Sequence, residues 1–165
     1  MTRKLVGEQE FTKFVDIVSK AYPGVMGNSV QEKDRLKEFY MNKQEHDQAI
    51  EYYGLFRDEK LIGGMRVHYY EMNLYSKMIP IGGVGLVAVD LLHKKECVAK
   101  ELIDRFLQIF LENNVHFVAL YPFRPDLYKK MGFGYGPKIY QYIVEPSSFP
   151  KGQSKLHLVY LDERV

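Results

Sequence analysis

The sequence predicts an α+β domain in which antiparallel strands come first, a parallel pair of strands lies in the middle, and helices cover both faces of the sheet. Three observations predict this class. Apolar residues recur at helical spacing over residues 8–21 and again from residue 98. Residues 52–89 carry strand patterns separated by turn signals. Between residues 78 and 121, a strand, a basic loop, an amphipathic helix and an apolar strand follow one another, as in a right-handed βαβ unit.

Two helices are predicted near the start of the chain. The first spans residues 8–21, where apolar residues form one stripe, and the Pro-Gly pair at residues 23–24 ends it. The second begins after residues 28–29, Asn-Ser, which are both favourable N-cap types, and runs through Tyr40. Residues 43–49 are polar, and they are predicted to form a loop.

Strands are predicted next, over residues 52–57, 61–70, 72–75 and 78–89. An Asp-Glu-Lys segment between the first two is typical of a hairpin turn, and the last two meet near residues 76–77. The last strand contains Gly82, Gly83 and Gly85. Glycines inside a strand indicate a bulge or the close approach of another backbone.

The helix with the clearest periodicity begins at Val98, and the Asn pair at residues 113–114 ends it. Residues 115–121 form a continuous apolar run, which predicts a strand buried on both faces. Residues 125–130 are predicted as a short helix that turns out at a Met-Gly-Phe-Gly segment. Two strands close the chain, at residues 139–144 and 156–161.

Composition excludes several classes of protein. The chain has 165 residues, of which 46% are hydrophobic and 27% charged, as expected for one globular domain rather than a disordered tail, a fibre or a coiled-coil rod. Twenty-three basic against 21 acidic residues leave a net charge of +2, so no nucleic-acid partner is expected. No apolar run is long enough for a bilayer and no signal peptide is visible, which predicts a cytoplasmic protein without a membrane partner.

Metal and disulfide chemistry are not expected. Cys97 is the only cysteine, so no disulfide can form within the chain, and a cysteine-based metal site is implausible. The histidines show no metal-ligand spacing. A nucleophilic role for Cys97 is a further alternative, although no His and acidic pair is placed to serve it.

The loop between Val89 and Val98 is a candidate phosphate site. In a βαβ unit the helix starts beside the carboxyl end of the first strand, and its first N–H groups have no partner within the helix. His93, Lys94 and Lys95 precede that helix directly. A diphosphate bound there would meet free amides and two ammonium groups. The alternative is that both lysines are solvated loop charges.

Two segments resemble a known superfamily. The stretch LVAVDLLHKKECVAKELI resembles motif A of the GNAT N-acetyltransferases, whose loop has the pattern Arg/Gln-x-x-Gly-x-Gly/Ala. The stretch PFRPDLYKKMGF resembles their second signature, a Tyr shortly before Gly-Phe. A His followed by basic residues, and the Tyr-x-x-x-Gly-Phe-Gly that begins at Tyr128, are most similar to the amino-terminal domain of the enhanced intracellular survival family. The resemblance implies a single GNAT domain over residues 1–165.

The resemblance also implies acetyl-CoA as cosubstrate, in a gap between two splayed parallel strands. The implied binding residues are the strand end Val87, Ala88 and Val89, the loop and helix start Lys94, Lys95, Glu96, Cys97, Val98, Ala99 and Lys100, and the pair Phe123 and Arg124 after the second strand. The family's loop glycine is Cys97 here and its leading Arg or Gln is Lys94. Because a Cβ adds bulk beside the anion and lysine lacks the guanidinium fork, weakened binding of CoA is expected.

The resemblance assigns Tyr128 as the acid that protonates the leaving thiolate, and a packing tyrosine is the alternative. A backbone N–H near Val89 would stabilise the charge that develops on the carbonyl oxygen. The base is left open, and the sequence does not rank its candidates, which are Glu45, Glu51, Glu71 and His68.

Three functional hypotheses follow from these features. The first is acetyl transfer to a primary amine, either an aminoglycoside-like or other small molecule or a lysine side chain in a peptide. The second is a non-catalytic acyl-CoA-binding or interaction module, related to a longer multi-domain enzyme by truncation. The third is a remnant of such an enzyme that associates with a second copy of itself as a homo-oligomer.

Overall fold

The computed structural model describes residues 1–24, 26–136, 140–149 and 152. The chain divides into two compact units, Met1–Phe133 and Gly134–Val165. Within the first unit, the described residues contain one sheet with strand order β1-β2-β3-β4-β5. The strands are β1 (Thr2–Lys4), β2 (Ile50–Arg57), β3 (Lys60–Leu74), β4 (Lys77–Val89) and β5 (Phe117–Leu120), and the α-helices are α1 (Gly7–Ala21), α2 (Val30–His46), α3 (Val98–Glu112) and α4 (Pro125–Lys130).

The helix α2 is longer than the sequence predicts. Ser29 caps its first turn, where its hydroxyl accepts from the Glu32 amide at 3.2 Å, as the N-cap prediction requires. The predicted loop at residues 43–49 is wrong in its first half, because the helix continues to His46. Gln44 explains the difference: its side chain donates to the Leu5 carbonyl at 3.0 Å and accepts from the Tyr52 amide at 2.8 Å. These tertiary bonds hold a polar segment that lacks a helical apolar stripe.

Tight turns join the antiparallel strands, as predicted. The β2–β3 turn has positive φ at Asp58 and Glu59, and the β3–β4 turn has positive φ at Tyr75 and Ser76, as type I′ hairpin turns require. The two strands predicted at residues 61–70 and 72–75 are one strand, because pairing with β4 continues through Glu71. The sequence analysis missed β1, a short edge strand that pairs antiparallel with β2.

The predicted βαβ unit is confirmed. β4 and β5 are parallel, with a register from Ile81 opposite Phe117 to Val84 opposite Leu120, and α3 connects them. The prediction that β5 is buried on both faces is wrong. It lies at the edge of the five-stranded sheet, and Phe117 is 53% exposed.

The described part of the second unit contains a single turn of 3-10 helix at Pro146–Ser148. The strand predicted at residues 139–144 is wrong for residues 140–144, which have no strand structure. Tyr142 and Ile143 are more than four-fifths exposed, so these residues do not form the half-buried face that a strand would have. Residue 139 and the strand predicted at 156–161 lie outside the described residues.

Helices cover both faces of the sheet, and each layer has its own apolar core. On one face α1 and α2 pack over the sheet through Phe11, Phe14, Val18, Tyr40 and Tyr52. On the other face α3 and α4 pack through Val98, Leu102, Phe106, Phe110 and Tyr128. This mixed, mostly antiparallel sheet between helical layers confirms the predicted α+β class.

Candidate active site

A bulge interrupts β4 close to its carboxyl end. On β3, Gly64 lies opposite Ala88 but Arg66 lies opposite Gly85, so β4 has one extra residue over this interval. Leu86, inside the interval, has φ +49°, in the left-handed region. The glycines in this strand predict a bulge, but the residue with positive φ is a leucine.

Beyond the bulge, β4 has no strand partner on its β5 side among the described residues. Pairing with β5 ends where Val84 faces Leu120, yet β4 continues to Val89. Because β5 ends at Leu120, the strand end Val87–Val89 has an open edge on that side in the described part of the chain, and we call this open edge the gap. A ligand with amide groups can hydrogen-bond to such a strand edge as a short extra strand would.

The loop after β4 leads directly into the start of α3. Asp90 caps a single 3-10 turn by accepting from the Leu92 amide at 2.9 Å. Lys95 and Cys97 then have φ of +70° and +60°, and Cys97 is the N-cap of α3. Two left-handed residues, one on either side of Glu96, turn the loop sharply before α3, and N–H groups in such turns can form a concave surface that binds anions.

Five amides at this position have no hydrogen-bond partner among the described residues. They belong to Lys95, Cys97, Val98, Ala99 and Lys100. The first hydrogen bond that closes the helix runs from the Glu101 amide to the Cys97 carbonyl at 3.0 Å. The positive end of the α3 dipole therefore coincides with a group of free donors.

Glu96 differs from its neighbours, because its groups are engaged within the protein. Its amide donates to the His93 carbonyl at 3.4 Å, and its carboxylate contacts His93 Nδ1 at 3.0 Å and Arg57 Nη1 at 2.7 Å. The hydrogen bond with His93 and the charge of Arg57 hold the pKa of Glu96 below its usual value. Arg57 also pairs with Glu101 at 2.6 Å, so it connects the end of β2 to the loop and to α3.

The lysines of the loop have different environments. Lys94 and Lys95 are exposed, and their ammonium groups have no ion-pair partner in the described part of the chain. Lys100 is paired with Asp104 at 2.7 Å, one helical turn further along. Only Lys94 and Lys95 are therefore free to neutralise an anion held by the amides.

Aromatic side chains surround the gap beside β4. The Tyr22 hydroxyl donates to the Val87 carbonyl at 2.9 Å, and its ring meets Phe123 edge to face, with ring centroids 5.9 Å apart. Burial and the nearby Tyr128 raise the pKa of Tyr22 to about 12. Sequence analysis missed Tyr22, since a tyrosine at the end of the first helix resembles a packing residue.

Tyr128 lies in α4 with 7% of its surface exposed, and it packs against Phe133 with ring centroids 6.1 Å apart. Burial raises the pKa of its phenol. The Tyr22 hydroxyl donates to the Val87 carbonyl, and Tyr128 is near enough to Tyr22 to raise its pKa. Tyr128 is therefore close to the gap. Phe123 also borders this cluster, whereas Arg124 turns to Asp126 of its own helix at 2.8 Å.

The structure separates the candidate bases. Glu45 and Glu71 are exposed on α2 and β3. Glu51 lies on β2, where its carboxylate accepts from Tyr53 at 3.0 Å and Tyr69 at 2.8 Å and pairs with Lys4. Burial pushes the pKa of Glu51 up, but these hydrogen bonds outweigh it, and the net pKa is lowered. His68 is the buried candidate, and it lies on β3 beside the glycines of β4.

Neither a metal site nor a membrane-spanning helix is present among the described residues. In that part of the chain, no three His, Cys, Asp or Glu side chains come together as a metal site would require. None of the helices there combines the length and apolar character needed to span a bilayer.

Comparisons with known proteins agree with this geometry. The family model for the acetyltransferase (GNAT) domain matches residues 2–136. No curated protein matches the chain. Glucosamine-6-phosphate N-acetyltransferase from Arabidopsis thaliana is similar in structure, with a TM-score of 0.65 and 12% identity over 88% of this chain and 98% of that chain.

Two bacterial structures show the same likeness. A predicted acetyltransferase with acetyl-CoA from Clostridium acetobutylicum has a TM-score of 0.67 and 16% identity over 87% of this chain and 96% of that one. The aminoglycoside 6'-N-acetyltransferase AAC(6')-IG from Acinetobacter haemolyticus has a TM-score of 0.66 and 14% identity over 88% of this chain and 98% of that one. At such identities the likeness shows the fold alone. The family match covers most of the sheet, the loop and α3, and the chain therefore belongs to the GNAT acetyltransferase family.

Proposed function

We propose that this acetyltransferase transfers an acetyl group from acetyl-CoA to a primary amine, carried by a small molecule or by a lysine side chain. One observation carries the proposal: β4 continues past the end of β5 with an edge that is unpaired among the described residues, and it leads into a loop with five free amides at the start of α3. We further propose that the whole chain, residues 1–165, acts as one GNAT domain. We also propose that the chain is related to the amino-terminal domain of the enhanced intracellular survival family.

The loop residues fit the diphosphate of CoA. The amides of Lys95 and of Cys97 to Lys100 are free donors at a helix N-terminus, which is a favourable place for phosphate. Lys94 and Lys95 add two unpaired positive charges. Glu96 contributes a fixed loop shape rather than a donor, because Arg57 and His93 hold its carboxylate.

The strand end fits the extended arm of the cosubstrate. Val87 and Val89 point their backbone groups away from β3 towards the gap, while Ala88 between them pairs with Gly64 of β3, and small or β-branched side chains allow close approach. The Val87 carbonyl is bonded to the Tyr22 hydroxyl. We propose that Tyr22 fixes this carbonyl and forms one wall of the channel, with Phe123 beside it. Arg124 lies beyond Phe123 as a further candidate contact.

Acetyl-CoA supplies the acetyl group as a thioester, so that a C–N bond to the amine forms while the C–S bond breaks. Tyr128 would donate its phenolic proton to the departing thiolate. Burial raises the pKa of Tyr128, so the phenol is protonated at neutral pH and able to donate. The amine must lose a proton, and the proposed acceptor is water. Glu45 and Glu71 are exposed, and the carboxylate of Glu51 already accepts a hydrogen bond from Tyr69.

The proposal is tested first by binding. Acetyl-CoA at 100 times its dissociation constant should stabilise the folded chain by about 2.7 kcal/mol, seen as a rise in melting temperature. Release of thiol with a panel of primary amines then measures turnover. If neither acetyl-CoA nor CoA raises the melting temperature, the proposed function is wrong.

The substitution Tyr128→Phe tests the acid. It should reduce turnover by about 100-fold, a typical contribution of general acid catalysis, and leave the binding of acetyl-CoA nearly unchanged. The matched control is Tyr75→Phe, which removes the same hydroxyl from a residue 94% exposed in the β3–β4 turn. Turnover of Tyr128→Phe equal to that of the control would show that the acid is misassigned.

A further inference from the structure

A pair of polar side chains lies next to the bulge, on the face of the sheet covered by α1 and α2. Arg66 and His68 occupy positions of β3 opposite Gly85 and Gly83 of β4. The Arg66 Nε–H donates to His68 Nε2 at 2.8 Å. This pair is adjacent to the interval in which β4 bulges, although it has no part in the cosubstrate site described above.

The guanidinium of Arg66 has no counter-ion among the described residues. Four other arginines each pair with a carboxylate, namely Arg3, Arg57, Arg105 and Arg124. Arg66 is half-buried, so its charge has lost part of its hydration. A partly desolvated charge without a partner is costly, and an anionic ligand would relieve that cost.

The carboxylate that acts on this pair electrostatically is Asp47, and other groups engage it. One of its oxygens accepts from the Ala49 amide at 3.0 Å, and the other pairs with Lys43 at 3.4 Å. The Tyr52 hydroxyl is fully buried beside Arg66, whose guanidinium offsets part of the rise in the pKa of Tyr52 that burial causes. The guanidinium therefore faces Tyr52 on one side, while its Nη2 lies near Gly85, and no carboxylate among the described residues pairs with it.

Gly85 of β4 leaves space beside the guanidinium of Arg66. A Cβ built on Gly85 would lie 3.8 Å from His68 Nε2 and 3.9 Å from Arg66 Nη2, with no closer neighbour. Gly85 is half-buried, so part of its surface is exposed to solvent. Tyr70, 49% exposed, stacks on His68 with ring centroids 5.1 Å apart and forms the outer wall. The space is therefore reachable from solvent.

His68 orients the arginine rather than acting as a base. Burial, followed by the charge of Arg66, lowers the pKa of His68 to about 4, so the imidazole is neutral near pH 7. Its Nε2 lone pair already accepts from Arg66, and a proton there would break that bond. The neutral ring therefore fixes the guanidinium plane without adding charge.

We propose that Arg66, positioned by His68, binds an oxyanion on the acceptor, so that the substrate class is a primary amine carrying a carboxylate or a phosphate group. The inference rests on the proposed function, since it places the amine of that molecule at the bulge. Arg66 faces Gly85, the residue that precedes Leu86. A guanidinium binds either oxyanion with two parallel hydrogen bonds, and the titrations below distinguish a carboxylate from a phosphate.

The test compares ligands that differ in the anion. O-phosphoethanolamine, β-alanine and ethanolamine are titrated by calorimetry against the full chain, with and without CoA. A charged hydrogen-bonded pair contributes about 1.5–3 kcal/mol, so the preferred anionic amine should bind about 10–100 times more tightly than ethanolamine. A larger preference for O-phosphoethanolamine identifies phosphate, and one for β-alanine identifies carboxylate. Equal binding of all three by the wild-type chain would overturn the proposal.

Substitutions locate the effect. Arg66→Met should abolish the preference, and Arg66→Lys should retain part of it. Arg35→Met, which removes an exposed arginine from α2, should leave it unchanged. His68→Gln should reduce the preference while CoA still binds, a result that general destabilisation would not give. A preference that survives in Arg66→Met would overturn the assignment. Failure of CoA to bind would instead refute the proposed function. The preference among the amines can still be measured in the titrations that contain no CoA.

Discussion

The left-handed conformation of Cys97 predicts that Cys97→Gly stabilises the protein. Cys97 is the N-cap of α3 with φ +60° and ψ 12°, and its thiol is free and exposed. A left-handed conformation costs a residue with a Cβ about 1–2 kcal/mol, while the greater freedom of glycine in the unfolded chain costs about 0.5–1 kcal/mol. The net gain is about 0.7 kcal/mol and at most about 1.5 kcal/mol, or a rise of about 1–3 °C and at most about 6 °C in melting temperature for a domain of this size.

Urea unfolding and thermal melts measure the stability of Cys97→Gly, and titration with acetyl-CoA measures its affinity. Cys97→Ala is the matched control, because it removes the sulfur but keeps the Cβ and the unfavourable backbone angle. We expect the glycine variant to gain stability and to bind acetyl-CoA more tightly than the alanine variant, because a diphosphate can approach closer to a backbone without Cβ. Equal stability of the two variants would refute the conformational argument.

Three further changes test other parts of the structure. Tyr22→Phe removes the hydrogen bond to the Val87 carbonyl and should lower the free energy of unfolding by about 1 kcal/mol in urea, a loss that Tyr75→Phe should not show. Gly64→Ala should cost about 1–3 kcal/mol, because its Cβ would lie 2.8 Å from the Tyr53 carbonyl oxygen, and a melting temperature equal to that of the parent would contradict the packing. Burial and Arg66 hold the pKa of His68 at about 4, below the ordinary 6.5, so the unfolded chain takes up the proton first as pH falls. Stability should therefore be complete above about pH 6.5 and decrease towards pH 4, by about 3 kcal/mol at most, and His68→Gln should flatten that slope.

Local signals made most of the fold predictable. Apolar periodicity placed α1 and α3, and turn residues placed the two hairpins, because these features depend on residues close in sequence. The errors arise where tertiary contacts decide. Gln44 extends α2 by bonding to the backbone of Leu5 and of Tyr52 in β2, and β5 is apolar although it lies at the edge of the described sheet. Neither the hydrogen bonds of Gln44 nor the edge position of β5 can be predicted from neighbouring residues in the sequence.

The candidate site was predictable in part for the same reason. The position of the loop lysines before α3 follows directly from the βαβ pattern, and the motif resemblance proposes Tyr128 as the acid, which stays a prediction. Tyr22 was missed because its role depends on a contact with Val87, 65 residues away. Arg66 and His68 have a visible signal, since residues two apart in a strand share a face. Their significance required the register that sets them opposite two glycines.

On the two proposals above, the bulge at Leu86 would let one strand contact both substrates. Before it, Val84 faces the α3 layer, so strict alternation would turn Leu86 to that layer and Val87 to the other. Instead Leu86 and Ala88 pack in the α1 layer, and Val87 packs against the α3 core. The extra residue reverses the alternation where pairing with β5 ends. The strand segment before the bulge lies opposite Arg66, and the segment after it leads into the amide-rich loop. An amine held by Arg66 and a thioester held by the loop would therefore meet at the bulge.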